Sequence, residues 1–323
     1  MVAKLVDRVR LIFALQLPII LILLVGAGLR IWSIDFGLPQ FQIGDEGALI
    51  GAALYAGSHW LQPVRLMYGQ LVPLILIFEY SIHYLIGLLI GKFTSVQELF
   101  IDYIRDPRDL ILIGRFTMAL VGVAIVWLVY FVGKKFYNQR IGLFAAFFLA
   151  SSFLAVKESH YLKEGNLAAF FTLVCFYFSM NILRRGSRWD YLGAGIALGF
   201  GIGAKYESIL VAPIVFLSHF IRYRKFTLQN LKYFFLGIIP CIVVTFPYLF
   251  IHPLAFYQKF LSEYKLTTTV YPLYLQGKPV WWWFFFVHIP DGVGIALFIA
   301  SILGFIIAVL KGKNKSEYYF LPV

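Results

Sequence analysis

Charge is scarce in this sequence, and acidic charge is the scarcest. Of 323 residues, 14% are charged, with 16 Asp and Glu against 28 Lys and Arg, while 61% are hydrophobic. Soluble domains carry about 25% charged residues, so a soluble fold of ordinary composition is excluded. Apolar runs of about 17–25 residues, long enough to cross a ~30 Å hydrocarbon core, recur along the chain. We predict a polytopic membrane protein of the all-α class, because a spanning helix satisfies its own backbone hydrogen bonds.

Cysteine is nearly absent as well. Cys175 and Cys241 both fall inside apolar runs, which favours buried thiols over a disulfide or a metal pair. The net charge is +12, yet the basic residues stand in short runs between apolar segments. That distribution is typical of loops that face the cytoplasm and anionic headgroups, so we expect no nucleic-acid partner.

Eight apolar segments are predicted to span the membrane: 11–34, 110–133, 141–156, 167–183, 191–204, 208–221, 233–250 and 293–310. Every second connection between them is basic, as is the N-terminus, and the positive-inside rule places these runs in the cytoplasm. We therefore predict a protein of the plasma (inner) membrane with a cytoplasmic N-terminus.

The apolar segment 72–91 tests this topology. If it were a span, every later loop would be inverted and four basic runs would lie outside the cytoplasm. The segment also carries Glu79 and His83, one helical turn apart. We predict an amphipathic juxtamembrane helix at the outer interface.

The loops predicted to face outward hold the unusual chemistry, beginning with Asp45 and Glu46 after the first span. At a helix start these acids could serve only as an N-cap and a complement to the helix dipole. Because acids are so few here, the pair is also a candidate general base. Metal binding by Asp45, Glu46, His160 and Glu164 is conceivable, although no ligand-spacing motif supports it.

The second outer loop, 157–166, contains Glu158, His160, Lys163 and Glu164. Its charges could simply form solvated ion pairs, which contribute little energy. Glu164 is nevertheless a candidate catalytic acid because the loop shares a membrane face with Asp45 in the predicted topology.

Two further outer segments allow both a structural and a functional interpretation. Lys205 ends a glycine-rich span, where it could extend to the headgroups or meet a phosphate. The glycines at 195, 199 and 203 favour close helix packing over a phosphate-binding loop. The aromatic stretch 271–286 favours an interfacial belt, with a substrate channel as the alternative.

The order of these features resembles the GT-C superfamily of membrane glycosyltransferases, in particular the group of protein mannosyltransferases and aminoarabinose transferases. The matching stretches are "GDEG", "VPLILIFEY", "GRFTMALVG" with Arg115, "SHYLKEGNLAAFF" and "YLGAGIALGFGIGAKYESIL". That family usually has Asp in place of Glu164 and Thr in place of Ala204. The resemblance implies a sugar donor on polyprenyl phosphate and transfer outside the cytoplasm, with inversion at the anomeric carbon.

On this resemblance, Asp45, with Glu46, matches the acid that activates the acceptor, and Lys205 matches the cation that neutralises the departing lipid phosphate. The candidate catalytic residues are therefore Asp45, Glu46 and Glu164. The candidate substrate-binding residues are Lys205, His160, Lys163, Tyr206 and Arg65. No cofactor is required, and a divalent metal is left open.

The expected partners are the lipid-linked donor, a protein, lipid or glycan acceptor, and membrane lipids. Members of the family are commonly longer, so we expect residues 1–323 to form one transmembrane domain that lacks further C-terminal helices or a C-terminal domain. Two rival functions stay open: a transporter or flippase for a lipid-linked sugar, and a non-catalytic membrane partner of a glycosyltransferase. A transporter should carry ionisable residues at mid-membrane, whereas this sequence keeps nearly all of them at span ends.

Overall fold

Every regular element among the described residues is a helix. The computed structural model describes residues 2–40, 44–59, 69–224, 228–269 and 278–311. The helices are α1 (Val2–Ile31), α2 (Gly44–Ser58), α3 (Leu71–Leu89), α4 (Val96–Arg105), α5 (Arg108–Phe136), α6 (Gln139–Ser151), α7 (Phe153–Ser159), α8 (Gly165–Arg184), α9 (Arg188–Ala204), α10 (Ala212–Tyr223), α11 (Leu228–Thr245), α12 (Pro247–Ile251), α13 (Pro253–Thr269), α14 (Val280–Trp283), α15 (Ile289–Val293) and α16 (Ile295–Lys311). A 3₁₀ turn, Tyr206–Val211, precedes α10, and a π turn, Phe284–His288, joins α14 to α15.

Three described helices, α3, α5 and α8, are long and apolar enough to cross a membrane. The number rises to five if two bent pairs each count as one span: α6 with α7, bent by 60°, and residues 281–293 with 295–307, bent by 115°. Shorter apolar helices cover 16–31 and 230–245. The predicted all-α membrane class is confirmed, whereas the predicted number of eight spans is not.

The long helices have a consistent direction. Asn166 at the start of α8 donates to the Met118 carbonyl of α5, and Arg184 at the end of α8 donates to the Phe136 carbonyl, so α5 and α8 run parallel. Because α9 follows α8 through a tight turn, it runs back. The bundle thus has one end where α5 and α8 begin and α9 finishes, which we name the Asp45 end.

Glycines let α9 and α11 pack side by side in parallel. A Cβ atom added to Gly195 would lie 2.1 Å from the Phe234 carbonyl oxygen, and one added to Gly203 would lie 2.5 Å from the Thr245 side chain. Only a residue without a Cβ fits such a close approach of two backbones. The prediction that these glycines serve helix packing is confirmed, and α11 therefore finishes at the Asp45 end.

The basic runs gather at the opposite end of the bundle. Arg184 donates to the carbonyls of Lys135 and Phe136, and Arg222 donates to those of Leu183 and Arg184. Cationic side chains on the last carbonyls of a helix also complement its dipole. The runs after α5, α8 and α10 therefore share one end, which is the arrangement that the positive-inside argument requires.

The residues just before and just after helix α3 both contact the Asp45 end of the bundle. Just before α3, the Gln70 amide donates to the Thr245 carbonyl (2.9 Å) at the end of α11. Just after it, Lys92 pairs with Asp109 (2.7 Å) in the first turn of α5. Hydrogen bonds to Asp109 and Asp102 raise the pKa of Lys92. A helix with both ends on one end of a bundle lies across it, so these contacts support the predicted interfacial helix despite its span-like length.

A core of buried apolar side chains closes the Asp45 end. The cluster contains residues of α2, α3, α4 and α5, the start of α8 and the end of α9. Its members include Leu49, Ile50, Leu76, Leu162 and Ala204. A second cluster fills the bundle between α5, α8, α9, α10 and α11, and a third joins α1 to α5 and α6. Several described candidate residues are close in sequence to members of the first cluster: Glu46 to Leu49, Lys163 to Leu162, and Lys205 to Ala204.

Candidate functional site at the Asp45 end

The two acids of "GDEG" have opposite environments although they are adjacent. Both stand in the first turn of α2, as predicted for a helix start. Successive helical residues point about 100° apart, so one side chain can face the core while the next faces outward. Asp45 is exposed, and its carboxylate forms no hydrogen bond or ion pair within the part of the chain that the structure describes. Glu46 is completely buried.

Glu46 forms a closed ion pair with Arg115 of α5. Its two carboxylate oxygens accept from Arg115 Nε (2.7 Å) and Nη2 (2.9 Å), and both side chains are 0% exposed. The Leu162 backbone amide donates to Glu46 Oε1, the oxygen that also accepts from Arg115 Nε, at 3.2 Å. A bidentate pair with a backbone donor satisfies a buried charge well. The carboxylate of Glu46 is therefore enclosed and fully paired, whereas the carboxylate of the adjacent Asp45 is exposed.

Arg115 also fixes the turn that leads from α1 to α2. Its Nη1 atom donates to the carbonyls of Ile34 and Phe36, each at 2.9 Å. Its guanidinium lies 4.7 Å from the centre of the Phe36 ring, a cation–π distance. Arg115 thus holds the turn 32–38 and the first turn of α2 against α5, and Glu46 in turn holds the 160–164 segment through the Leu162 amide.

The 160–164 segment packs against the same turn. Nε2 of His160 lies 3.0 Å from the Trp32 carbonyl oxygen, and Nδ1 lies 2.9 Å from that of Val156. Tyr161 meets Phe36 edge to face at 5.5 Å, and the Lys163 amine lies 5.8 Å from the Tyr161 ring. Because Leu162 binds Glu46, this segment lies directly beside the start of α2.

Glu164 lies partly buried immediately before α8. It follows Leu162 by two residues, so the structure brings Glu164, together with His160 and Lys163, into the neighbourhood of Asp45. The sequence placed these outer segments on one membrane face without indicating contact between them, and the structure adds the contact of the 160–164 segment with Glu46. The catalytic and binding roles assigned to the residues stay predictions.

Lys205 also lies at the Asp45 end, although it does not contact the acid pair. It follows Ala204, a member of the core cluster that includes Leu49 and Ile50 of α2. Its amine pairs with Glu207 at 3.3 Å, and both side chains are nearly half exposed. Exposed pairs of this kind contribute about 0.2–1 kcal/mol, so Glu207 holds the Lys205 amine only weakly. Tyr206, next along the chain, is exposed as well.

Arg65, predicted to bind substrate, lies outside the described residues, as do positions 271–277 of the aromatic stretch 271–286. In the described remainder, Trp281, Phe284, Phe285 and Phe286 are exposed, and the choice between an interfacial belt and a substrate channel stays open. Within the described ranges, no three His, Cys, Asp or Glu side chains lie close enough together to hold a metal ion. Both cysteines are buried free thiols, as predicted.

Sequence reasoning missed the part played by Arg115. The residue was recognised as a feature of the family resemblance, but nothing in the sequence links it to Glu46, 69 positions earlier. It also missed Arg30, which is 1% exposed near the end of α1. The signal was available in both cases, because an arginine within an apolar helix is costly unless it has partners.

Comparison with protein families gives one match. Residues 109–251 match the model of the dolichyl-phosphate-mannose-protein mannosyltransferase family. The predicted family resemblance is confirmed. The match covers α5 to α12 and includes Arg115, the 160–164 segment and Lys205, while Asp45 and Glu46 precede it. Comparisons with curated proteins and with solved structures each gave no significant match.

Proposed function

We propose that this integral membrane protein is a glycosyltransferase that moves a sugar from a polyprenyl-phosphate donor to an acceptor hydroxyl. The family match is the observation that carries the proposal, because the family's name describes transfer of mannose from dolichyl phosphate mannose to protein. Mannose is therefore the first sugar to test, with other hexoses and pentoses after it. The acceptor is a protein, a lipid or a glycan.

Asp45 is the proposed general base. Its exposed carboxylate takes the proton of the acceptor hydroxyl as that oxygen attacks the anomeric carbon. The bond from the anomeric carbon to the phosphate oxygen breaks, and the electron pair leaves with the polyprenyl phosphate. Attack from the face opposite the leaving group inverts the anomeric configuration. The buried pair of Glu46 and Arg115 supports this role because it fixes the helix turn that carries Asp45.

Lys205 is proposed to neutralise the departing phosphate. Its exposure and its weak pairing with Glu207 support this role, since the amine can exchange one anionic partner for another. Glu164, His160 and Lys163 are proposed to contact the sugar or the acceptor, and Tyr206 and Arg65 the donor. The Asp45 end faces outward in this proposal, because the basic runs at the other end belong in the cytoplasm.

The test is release of free polyprenyl phosphate by the purified protein in lipid nanodiscs. The protein is incubated with a panel of polyprenyl-phosphate sugars, mannose first, and with an extract of acceptors. We expect release with one sugar and a loss of about 10²–10³-fold in Lys205→Met, the range for removing one electrostatic stabiliser. Lys157→Met, an exposed lysine at the same end, is the control. No release by well-folded wild-type protein would contradict the proposal.

A further inference from the structure

Three separate backbones meet immediately before Lys205. A Cβ atom added to Gly69 would overlap the carbonyl group of Gly203, in the last turn of α9. A Cβ atom added to Gly203 would in turn lie 2.5 Å from the Thr245 side chain, in the last turn of α11. The Gln70 amide completes the contact by donating to the Thr245 carbonyl at 2.9 Å. We name the contact formed by Gly69, Gln70, Gly203 and Thr245 the Gly69 junction.

The Gly69 junction is closed and has no space for a side chain at position 69. Gln70 is 7% exposed, and Thr245 is completely buried. The φ angle of Gly69 lies outside the left-handed region, so glycine is required here by the close approach of the Gly203 backbone. Non-bonded atoms pack best at about 3.5–4.0 Å, so a methyl group at position 69 would push the 69–70 segment and the end of α9 apart by about 1–2 Å. A backbone carbonyl cannot rotate away as a flexible side chain can.

The last turn of α9 determines where Lys205 stands. The Lys205 amide donates to the Gly201 carbonyl at 2.8 Å, the hydrogen bond that closes the helix. The Lys205 carbonyl accepts from the Ser208 amide at 3.0 Å, in the 3₁₀ turn that follows. The backbone of Lys205 is thus held on both sides, while its exposed amine forms a weak pair with Glu207. A shift of Gly203 therefore moves the amine with it.

The junction also leads to the helix that carries Asp45. Gln70 directly precedes α3, and its carbonyl accepts the first hydrogen bond of that helix at 2.9 Å. Helix α3 packs on α2, with Leu76 in the same buried cluster as Leu49. Asp45 stands one turn before Leu49, in the first turn of α2. The positions of Asp45 and Lys205 are therefore linked through α2, α3 and the Gly69 junction.

We propose that Gly69 is a positioning residue that sets the separation between the Asp45 carboxylate and the Lys205 amine, acting through Gly203. This inference rests on the proposed function, because the separation matters only if both groups act on one donor and acceptor. In that reaction the acid takes a proton on one face of the anomeric carbon, and the cation meets the phosphate that leaves from the other face. A displacement of about 1 Å in such a site can lower the rate about 10²-fold.

Steady-state kinetics of Gly69→Ala in two backgrounds test whether Gly69 acts through Lys205. With Lys205 present, we expect kcat in nanodiscs to fall about 10–10²-fold, because the cation is displaced from the phosphate. In Lys205→Met, the added Gly69→Ala should change kcat by less than about twofold, since the displaced group is already absent. Gly51→Ala is the matched control, because an added Cβ atom there has no neighbouring atom within 4 Å. Equal losses in both backgrounds, or no loss in either, would overturn the positioning role.

Double electron–electron resonance measures the displacement itself, with no donor or acceptor present. Spin labels are attached at Tyr55→Cys, an exposed position of α2, and at Leu210→Cys, an exposed position in the 3₁₀ turn after Lys205, in a protein without native cysteines. We expect Gly69→Ala to shift the mean distance between the labels by about 1–2 Å or to broaden its distribution. Gly51→Ala should leave the distribution unchanged. An unchanged distribution in folded Gly69→Ala as well would overturn the inference.

A second variant covers the case in which Gly69→Ala does not fold. Gln70→Pro removes the N–H that donates to the Thr245 carbonyl and puts a ring carbon in its place, so it perturbs the same junction from the neighbouring residue. It should also change the label distance, and an unchanged distance would count against the inference.

The two measurements separate this inference from the proposed function. A protein that transfers no sugar can still show the displacement, and that result contradicts only the proposed function. An active enzyme can still lose the same factor in kcat in both Lys205 backgrounds, and that result contradicts only the positioning role of Gly69.

Discussion

The opposite environments of Asp45 and Glu46 predict very different costs for two adjacent and chemically equal substitutions. Glu46→Gln removes the charge that Arg115 requires and leaves a guanidinium buried without its counter-ion. Breaking a buried pair on one side costs about 3–5 kcal/mol. Asp45→Asn changes an exposed group, for which about 0.5 kcal/mol is the usual limit. The free energies of unfolding should therefore differ by several kcal/mol across one peptide bond.

Thermal unfolding of the two variants in one detergent measures this difference. At roughly 2–4 °C per kcal/mol, Glu46→Gln should lower the unfolding midpoint by about 6–20 °C, and Asp45→Asn by about 2 °C or less. Arg115→Gln should be as destabilising as Glu46→Gln or more so, because it also frees the carbonyls of Ile34 and Phe36.

A double-mutant cycle then separates the pair from its surroundings. Since Glu46 and Arg115 share two hydrogen bonds, the double variant should be more stable than the sum of the single losses predicts, with a coupling of about 0.5–3 kcal/mol. If Glu46→Gln unfolds at the same temperature as Asp45→Asn, or if the two losses simply add, the buried ion pair does not fix the first turn of α2 and the reasoning fails.

Two further predictions concern the bundle. Gly195→Ala places a methyl group against the Phe234 carbonyl oxygen and should destabilise the protein by about 1–3 kcal/mol in thermal unfolding. Gly304→Ala is the control, because an added Cβ there would have no neighbouring atom within 4 Å, and it should be neutral or slightly stabilising. In a background without native cysteines, Lys157→Cys should react with a membrane-impermeant maleimide in intact cells, and Lys134→Cys only after lysis. Labelling of both residues from one side would contradict the topology.

The helical architecture followed from local features of the sequence. The predicted apolar segments are largely helical, because long apolar runs favour helices in lipid, but 141–156, 233–250 and 293–310 each include a break between two helices. The glycine spacing in α9 predicted close packing correctly. The interfacial position predicted for 72–91 stays a prediction, because α3 is also long and apolar enough to span a membrane. The breaks within 141–156, at Phe246 within 233–250, and after residue 293 were missed. Such bends depend on partners elsewhere in the chain. At the end of α6, for example, Arg30 of α1 donates to the carbonyls of Leu149 and Ala150.

The candidate site was predictable as a set of residues and not as an arrangement. The scarcity of acids drew attention to Asp45 and Glu46, yet nothing in the sequence indicated that one is buried and the other exposed. Their difference arises from Arg115, which lies on α5, three helices farther along the chain, and from the direction in which each side chain leaves α2. The contact between Glu46 and Arg115 joins residues far apart in sequence, so it becomes visible only when the packing of α2 on α5 is known.

The most direct test of the proposed mechanism is the rate of sugar transfer by Asp45→Asn, compared with Asp35→Asn, an exposed aspartate in the preceding turn. Both variants should insert, fold and bind donor as the wild type does, because neither touches the buried pair. The account predicts a loss of about 10²–10⁴-fold in kcat for Asp45→Asn, the range for a general base, and no loss for Asp35→Asn. Wild-type turnover by Asp45→Asn would contradict the assignment of Asp45 as the base.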